Sequence, residues 1–229
     1  MPVARNLGIN DDYGLCYALI LLIGYSGIKE MDMGFALKHD QHYTYRDYLT
    51  WPEDIRYELI DGKVYMMSPS PLLTHQDVVG EIFFQVKQAL RDKSCRVLIA
   101  PVDVRLPKST EADEQTDTIV QPDVMVVCDS SKLDRRGIRG APDWVVEVLS
   151  PSTAGRDQID KRRLYERHGV REYWLVHPTD RLLTVYRLND GDFGKPDIAE
   201  LQGVTPVSVL PGVSIDWDLL TPYLIEDVI

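Results

Sequence analysis

The sequence has 229 residues, of which 44% are hydrophobic and 27% are charged, and its formal net charge is −11. This length and apolar content suit one globular domain with a substantial core, and no shift in composition marks a second domain. The negative charge opposes a broad electrostatic contact with nucleic acid, which argues against a passive DNA-binding module.

Residues 1–32 differ in character from the rest of the chain. Residues 15–28 form a mostly apolar run of 14 residues, which is shorter than the roughly 20 residues that a membrane helix needs. Acidic residues precede the run and no A-x-A-like cleavage site follows it, so it does not match a signal peptide. Two interpretations stay open, an extension upstream of the true start or an appended hydrophobic helix. We separate this atypical N-terminal extension, residues 1–32, from a single domain over residues 33–229, and expect no membrane association.

A β-hairpin is predicted over residues 56–68, because RYELIDGKVYMMS alternates between polar and apolar residues on both sides of Asp61-Gly62. The hairpin carries Glu58, which has two interpretations. It is either a salt-bridge partner of Lys63 or Arg56 within the hairpin, or an extra acid near a metal ion.

Helices are predicted on both sides of this hairpin. Residues 44–49 suit a short helix with Thr44 as its N-cap and Pro52 beyond its end. Residues 71–92 carry apolar side chains at spacings of three and four, which predicts a helix that packs on a sheet. His75 lies in its first turns, and a lone helical histidine is more often a hydrogen-bonding residue than a catalytic one, so we leave it out of catalysis.

An interrupted strand and a polar loop follow. Residues 96–106 suit an extended strand that is broken or bent at Pro101, because proline cannot donate to a central ladder. Residues 108–118 are polar and acidic and predict a loop at the edge of the sheet. Its acidic residues are expected to be solvated: Asp113, Glu114 and Asp117.

Three buried strands are predicted in the centre of the chain, at residues 124–128, 144–149 and 173–176. Each is a short β-branched or aromatic run bounded by proline, glycine or serine. In the second strand, side chains alternate between faces, so Glu147 shares a face with Val145. Both faces of that strand are apolar, and Glu147 should therefore be buried.

A basic group precedes the Glu147 strand and consists of Arg135, Arg136 and Arg139. A solvated loop is the favoured interpretation and a phosphate contact is the alternative.

A buried carboxylate requires a paired cation, hydrogen bonds, protonation or a metal ion. The next segment offers a cation, because a helix capped by Ser152 can run through about Gly169. Four residues follow in it at spacings of four and three: Asp157, Lys161, Leu164 and Tyr165. This phase places Lys161 on the inner face of the helix.

Two acids on adjacent strands and one inward lysine form a set able to hydrolyse phosphodiesters. Asp123 and Glu147 are the expected ligands of a hard divalent cation, and the backbone carbonyl of Val148 is a candidate third ligand. Such a cation polarises a non-bridging oxygen and lowers the pKa of water. Lys161 would orient the attacking water or stabilise the developing negative charge.

These residues resemble the Uma-type restriction endonuclease family, formerly a domain of unknown function, within the PD-(D/E)xK nuclease superfamily. The matching segments are Pro122-Asp123, VVEVLSPST at 145–153, Asp157 with Lys161, and GVREYWLVHP at 169–178. The resemblance runs from about Tyr43 to the C-terminus. It implies an α/β, restriction-endonuclease-like fold with a central mixed β-sheet flanked by helices.

The sequence departs from the superfamily pattern at one position. The lysine that is usual two places after the acid is replaced by Leu149, which carries no charge. Lys161 looks like the migrated substitute, as the resemblance to this family implies. The YELIDG-like segment of the family also favours Glu58 as an extra acid near the metal.

Residues 182–188 predict another strand, residues 204–217 one or two short strands, and residues 218–229 a short helix. The three cysteines, Cys16, Cys95 and Cys128, are odd in number and lack CxxC spacing. We therefore expect neither a disulfide framework nor a zinc site, a reducing cytoplasmic location, and a Cys128 that is a small core residue.

Taken together, the order of these residues predicts a divalent-metal-dependent endodeoxyribonuclease with DNA as its substrate and Mg²⁺, or else Mn²⁺, as its cofactor. Asp123 and Glu147 bind the metal, Lys161 stabilises or orients, and Glu58 assists. A homodimer would match the two-fold symmetry of a duplex. Two alternatives stay open: a non-cleaving descendant that serves as a binding module, and a phosphatase-like hydrolase of small phosphoesters.

Overall fold

The computed structural model describes residues 41–52, 54–67, 72–151 and 153–224. The predicted extension at residues 1–32, the predicted cap Ser152 and residues 225–229 of the predicted final helix lie outside the described residues. Within the described ranges, no helix is both long enough and apolar enough to cross a membrane.

The first elements are those that the local sequence predicts. Helix α1 spans Tyr45–Tyr48, and its cap Thr44 forms a capping box with Asp47. Strands β1, Tyr57–Ile60, and β2, Lys63–Met66, pair antiparallel as a hairpin. Helix α2 spans Leu73–Ala89.

Most of the remaining strands belong to two large sheets. The remaining strands have the bounds β3 Arg96–Ile99, β4 Val104–Arg105, β5 Ile119–Val120, β6 Val124–Val127, β7 Leu133–Asp134, β8 Gly137–Arg139, β9 Trp144–Val148, β10 Glu172–His177, β11 Leu182–Arg187, β12 Asp197–Glu200, β13 Val204–Pro206 and β14 Ser214–Asp216. Strands β13 and β14 pair with each other in a small separate sheet. A π-helical segment, Arg156–Lys161, leads directly into helix α3, Arg162–His168. A helix was predicted over residues 218–229. In the described part of that range the structure instead has two short 3₁₀ turns, Trp217–Leu219 and Thr221–Tyr223.

Each large sheet among the described residues has six strands and is mixed. The first has the order β2-β1-β5-β4-β8-β7, and the second has the order β12-β11-β10-β9-β6-β3. In each sheet one neighbouring pair is parallel, β4 with β8 in the first and β9 with β10 in the second. A mixed α/β fold is thus confirmed, with its strands divided between two sheets.

The layers follow from the alternation of side chains along the strands. One face of the second sheet, including Trp144 and Val146, packs with Val78 and Ile82 of α2. The opposite face, including Val145, joins one core with residues of the first sheet and of α3. Helix α2 therefore covers one side of the second sheet, and the first sheet and α3 cover the other.

Two stretches of chain pass from one sheet to the other at the same place. Residues 100–103 connect β3 of the second sheet to β4 of the first, and residues 121–123 connect β5 of the first to β6 of the second. The predicted break at Pro101 lies in the first of these stretches. We call the pair of crossings the seam.

The expectation about cysteines is wrong, because Cys95 and Cys128 form a disulfide. Arg96 lies opposite Val127 in the antiparallel pairing of β3 and β6. Cys95 directly precedes Arg96 and Cys128 directly follows Val127, so the two cysteines lie opposite each other just beyond the strand ends. Their separation of 33 residues gives no sign of this pairing in the sequence, because it arises only from how β3 and β6 align.

The acidic loop before β5 is also less solvated than predicted. Asp113 pairs with Arg105, which is fully buried. Asp117 is only 5% exposed, and its carboxylate lies 2.6 Å from the Lys108 ammonium. Glu114 alone matches the expectation, since it forms an exposed pair with Arg46. Two of the three acids therefore anchor this loop to the domain.

Candidate active site

Glu147 lies in the middle of β9 and points into the core between the two sheets. It is 3% exposed, and its Oε1 atom accepts hydrogen bonds from the Lys161 ammonium at 3.0 Å and from the Tyr165 hydroxyl at 2.9 Å. Burial raises its pKa well above the usual value, although the Lys161 charge opposes this. The predicted burial of Glu147 is confirmed.

Lys161 ends the π-helical segment and projects inward, as its spacing predicts. Its ammonium lies 2.8 Å from Glu58, 3.0 Å from Glu147 and 3.5 Å from Asp157. Burial alone would lower its pKa, but the surrounding carboxylates outweigh burial and raise the pKa well above the usual value. The carboxylates around Lys161 therefore favour its charged form.

Glu58 reaches the same ammonium from the opposite sheet. Side chains on β1 alternate, so Glu58 faces inward together with Ile60, which belongs to the core between the sheets. It is 1% exposed, and its Oε1 atom also accepts the backbone N–H of Gln121 at 3.0 Å. The sequence suggested Lys63 or Arg56 of the hairpin as the ion-pair partner of Glu58. Its partners in the structure are instead Lys161 and, at 3.7 Å, Arg156.

Asp123 lies on the seam, one residue before β6, and is the most accessible of the clustered acids. Its Oδ2 atom accepts the backbone N–H of Val148 at 2.8 Å, which ties the acid to the strand that carries Glu147. The same oxygen lies 3.2 Å from Nε2 of His75. His75, which sequence reasoning left out, is thus brought to the site by the first turn of α2.

Two residues that the sequence places on the helix face of Lys161, but to which it assigned no role, hold the cluster together. Tyr165 donates to Glu147 and lies four residues after Lys161, and burial raises its pKa well above the usual value. Asp157 is 3% exposed and lies four residues before Lys161; burial raises its pKa too. The spacing of four on both sides of Lys161 was the available signal, because it places all three on one helix face.

These side chains open onto one cleft of about 960 Å³. It lies beside the seam and has walls from both sheets, α2 and the π-helical segment. Its ionisable lining residues are Arg56, Glu58, His75, Asp123, Glu147, Arg156, Asp157 and Lys161. Val148 also lines it, whereas Arg135, Arg136 and Arg139 are not among its lining residues. Arg139 instead contacts the backbone of Glu111 and the carboxylate of Asp113.

The oxygen donors of the cleft suit a hard divalent cation. Within the described ranges, no three His, Cys, Asp or Glu side chains form a ready metal cage. Mg²⁺, however, usually keeps several waters and takes only one or two carboxylates together with substrate phosphates. Asp123 and Glu147 both line the cleft, and the raised pKa of Glu147 marks an acid that additional positive charge would stabilise. The residues therefore fit a two-carboxylate site.

Comparison with known families places this geometry in context. The model of the Uma2 family, described as "Putative restriction endonuclease", matches residues 45–219. The chain belongs to the Uma2 family. The match contains every residue of the cleft described above.

The Uma2 chain is also similar to two individual proteins. An uncharacterized protein from Synechocystis sp. is 29% identical over 151 residues, which is 64% of this chain and 75% of that protein. The crystal structure of "a putative nuclease belonging to DUF820" from Anabaena variabilis matches with a TM-score of 0.62 at 21% identity. The match covers 80% of this chain and 99% of that chain, and it confirms the predicted restriction-endonuclease-like fold.

Proposed function

We propose that this Uma2 protein is a divalent-metal-dependent endodeoxyribonuclease. The observation that supports this most strongly is the position of Lys161, which lies between buried carboxylates from both sheets, in the same cleft as the accessible acid Asp123. A charged lysine beside a carboxylate pair is suited to phosphoryl chemistry, because negative charge develops on the oxygens of the transition state.

In this proposal Asp123 and Glu147 would hold Mg²⁺ or Mn²⁺, with the carbonyl of Val148 as a further donor. When bound, the cation polarises a phosphate oxygen and lowers the pKa of water. Lys161 donates a hydrogen bond to the attacking water or to a phosphate oxygen as negative charge grows there. Glu58 and Asp157 keep Lys161 protonated and aimed, and Tyr165 fixes the carboxylate of Glu147.

Three finer points belong to the same proposal. DNA is the substrate, because the family is described as a restriction endonuclease. A homodimer would cut both strands of a duplex by its two-fold symmetry. The cytoplasmic location stays a prediction, and the Cys95–Cys128 disulfide removes the cysteine argument for it.

The proposal is tested by cleavage of supercoiled plasmid in Mg²⁺ and Mn²⁺, together with calorimetric titration of each metal. We expect nicking by the wild-type chain and a loss of roughly a hundredfold or more in Asp123→Asn, Glu147→Gln and Lys161→Met. The two acid variants should also lose the metal-binding heat. Asp160→Asn is the matched control, because Asp160 is exposed on the same helical segment.

Two results would contradict the proposal. The first is a wild-type chain that binds neither metal, even with DNA present, which would favour the binding-module alternative. The second is cleavage that survives in Glu147→Gln at the rate of the Asp160→Asn control.

A further inference from the structure

Arg56 differs from the other cations of the cleft because a neutral side chain accepts its hydrogen bonds. It lies directly before β1, two residues from Glu58, so the two side chains leave the strand on the same side. Its side chain lines the cleft and is exposed. Its Nε and Nη2 atoms both donate to Oε1 of Gln121, at 2.9 and 2.8 Å.

Gln121 is itself fixed by further hydrogen bonds on the seam. Its Nε2 atom donates to Asp103 Oδ1 at 2.8 Å and to the Tyr48 hydroxyl at 3.3 Å. Because the amide nitrogen faces these acceptors, the amide oxygen must face Arg56. Gln121 is 6% exposed, and its backbone N–H binds Glu58. One residue therefore joins Arg56 to the carboxylate cluster.

The charge partners of Arg56 differ from those of the cations beside it. Lys161 contacts three carboxylates. Arg156 lies 3.7 Å from Glu58 and stacks on the Tyr65 ring at 4.5 Å. Gln121 is neutral, and in the part of the chain that the structure describes no carboxylate pairs with Arg56. Arg56 is thus a guanidinium held by a neutral side chain at the edge of the cleft, and no described residue accepts a hydrogen bond from its Nη1 atom.

We propose that Arg56 binds a backbone phosphate of DNA next to the phosphate that is cleaved, and that Gln121 is its positioning residue. The inference rests on the proposed function. A guanidinium fork matches the geometry of phosphate oxygens, and a fork already oriented loses less freedom when it binds. Through Gln121 the contact also sets where the DNA backbone lies relative to Glu58 and Lys161.

The test measures binding of a DNA duplex at several salt concentrations, with Ca²⁺ in place of Mg²⁺. Removal of one phosphate-binding cation should reduce the slope of log affinity against log salt by about 1. We expect Arg56→Gln to bind about tenfold more weakly with a slope reduced by that amount. Arg91→Gln removes the same charge from an exposed turn just after α2, 16 residues beyond His75, and should match the wild-type chain.

Two further variants separate phosphate binding from a structural role. Arg56→Lys keeps the charge without the fork, so it should keep the slope and lose part of the affinity. Gln121→Leu releases Arg56 without changing its charge, so it should also keep the slope and lose part of the affinity. Thermal unfolding of each variant checks that the fold is intact.

The outcomes distinguish the inference from the proposed function. A wild-type chain that binds DNA, together with an Arg56→Gln slope equal to that of Arg91→Gln, would overturn the role of Arg56 and leave the nuclease proposal standing. A wild-type chain that binds no DNA would overturn both.

Discussion

Lys161 shows how single residues define this site. Its ammonium contacts acids from β1, from β9 and from its own helix, so removal of any partner changes the field at the remaining ones. A buried charge of this kind is stable only while its partners are present. The residues around Lys161 therefore act as one unit, and substitutions among them should not be additive.

The substitution Glu58→Gln tests whether the carboxylates around Lys161 act together. Glutamine keeps the oxygen that accepts from Lys161 and from Gln121, but it removes the charge that helps to raise the pKa of Lys161. We predict a fall in DNA cleavage of about tenfold to a hundredfold, because Lys161 loses orientation, with the fold retained. Lys63→Gln on the same hairpin is exposed and should cleave at the wild-type rate. A normal rate with only a lower melting temperature would make Glu58 merely structural.

His168, which does not line the cleft, predicts how the free energy of unfolding depends on pH. Burial and the neighbouring Arg167 charge lower its pKa from 6.5 to about 4. The unfolded chain therefore binds a proton between these pH values that the folded chain does not, and the free energy of unfolding falls as pH falls through this window. His168→Gln should lose part of that fall.

Urea denaturation of both proteins at pH 8 and pH 5 measures the difference. At pH 8 the histidine is neutral in both states, so the comparison there isolates any loss of packing. An equal loss of stability on acidification in both proteins would show that His168 does not titrate in this way.

Some side chains of the site could be predicted from the sequence and others could not. Glu147 and Lys161 were predictable because a carboxylate inside an apolar strand requires a partner, and helical spacing supplied one. His75 and Gln121 were not, since their roles depend on how α2 and the seam approach Asp123 and Arg56. Such contacts join residues far apart in the chain and leave no local pattern.

The π-helical segment Arg156–Lys161 decides which of its side chains enter the cleft. Its wider turn keeps Asp157 and Lys161 both buried while three residues between them stay exposed. Segments of this type occur often at functional sites. The sequence predicted a helix of the correct phase here, but an extra residue in a turn has no clear signature in side-chain spacing.

Insertion of one alanine directly after Asp160 should rotate Lys161 and Tyr165 by about 100° around the helix relative to Asp157, and the hydrogen bonds to Glu147 would be broken. We predict loss of cleavage with helix content retained by circular dichroism. Asp160→Ala leaves the length unchanged and should keep wild-type cleavage, and equal activity of the two variants would refute the role of the segment.

The division into two sheets was likewise beyond the sequence. Strands were predicted at residues 96–106 and 124–128, and proline indicated a break in the first. Sequence could not show that both stretches change sheets at one point, because β4 and β5 have only two residues each. Their pairing partners come from distant parts of the chain.

The Cys95–Cys128 disulfide closes a loop over residues 95–128, which contain the seam. A closed loop of this size is expected to contribute about 3–4 kcal/mol by restricting the unfolded chain. Reduction should therefore lower the free energy of unfolding by about that amount, measured by urea denaturation with and without dithiothreitol.

The matched control for this prediction is Cys95→Ser, which should be insensitive to reductant. Mass spectrometry of the denatured, unreduced protein should show these two cysteines linked. Equal stability of the wild-type chain in both conditions, with the link intact in the absence of reductant, would contradict the expected contribution.

The seam has a consequence for when the proposed nuclease becomes active. Glu58 belongs to one sheet, Glu147 to the other, and Asp123 to the crossing between them. Neither sheet carries a complete set of reactive groups by itself. A nascent or partly unfolded chain would therefore be unable to cut the DNA of its own cell. Cleavage activity would arise only when the two sheets pack against each other.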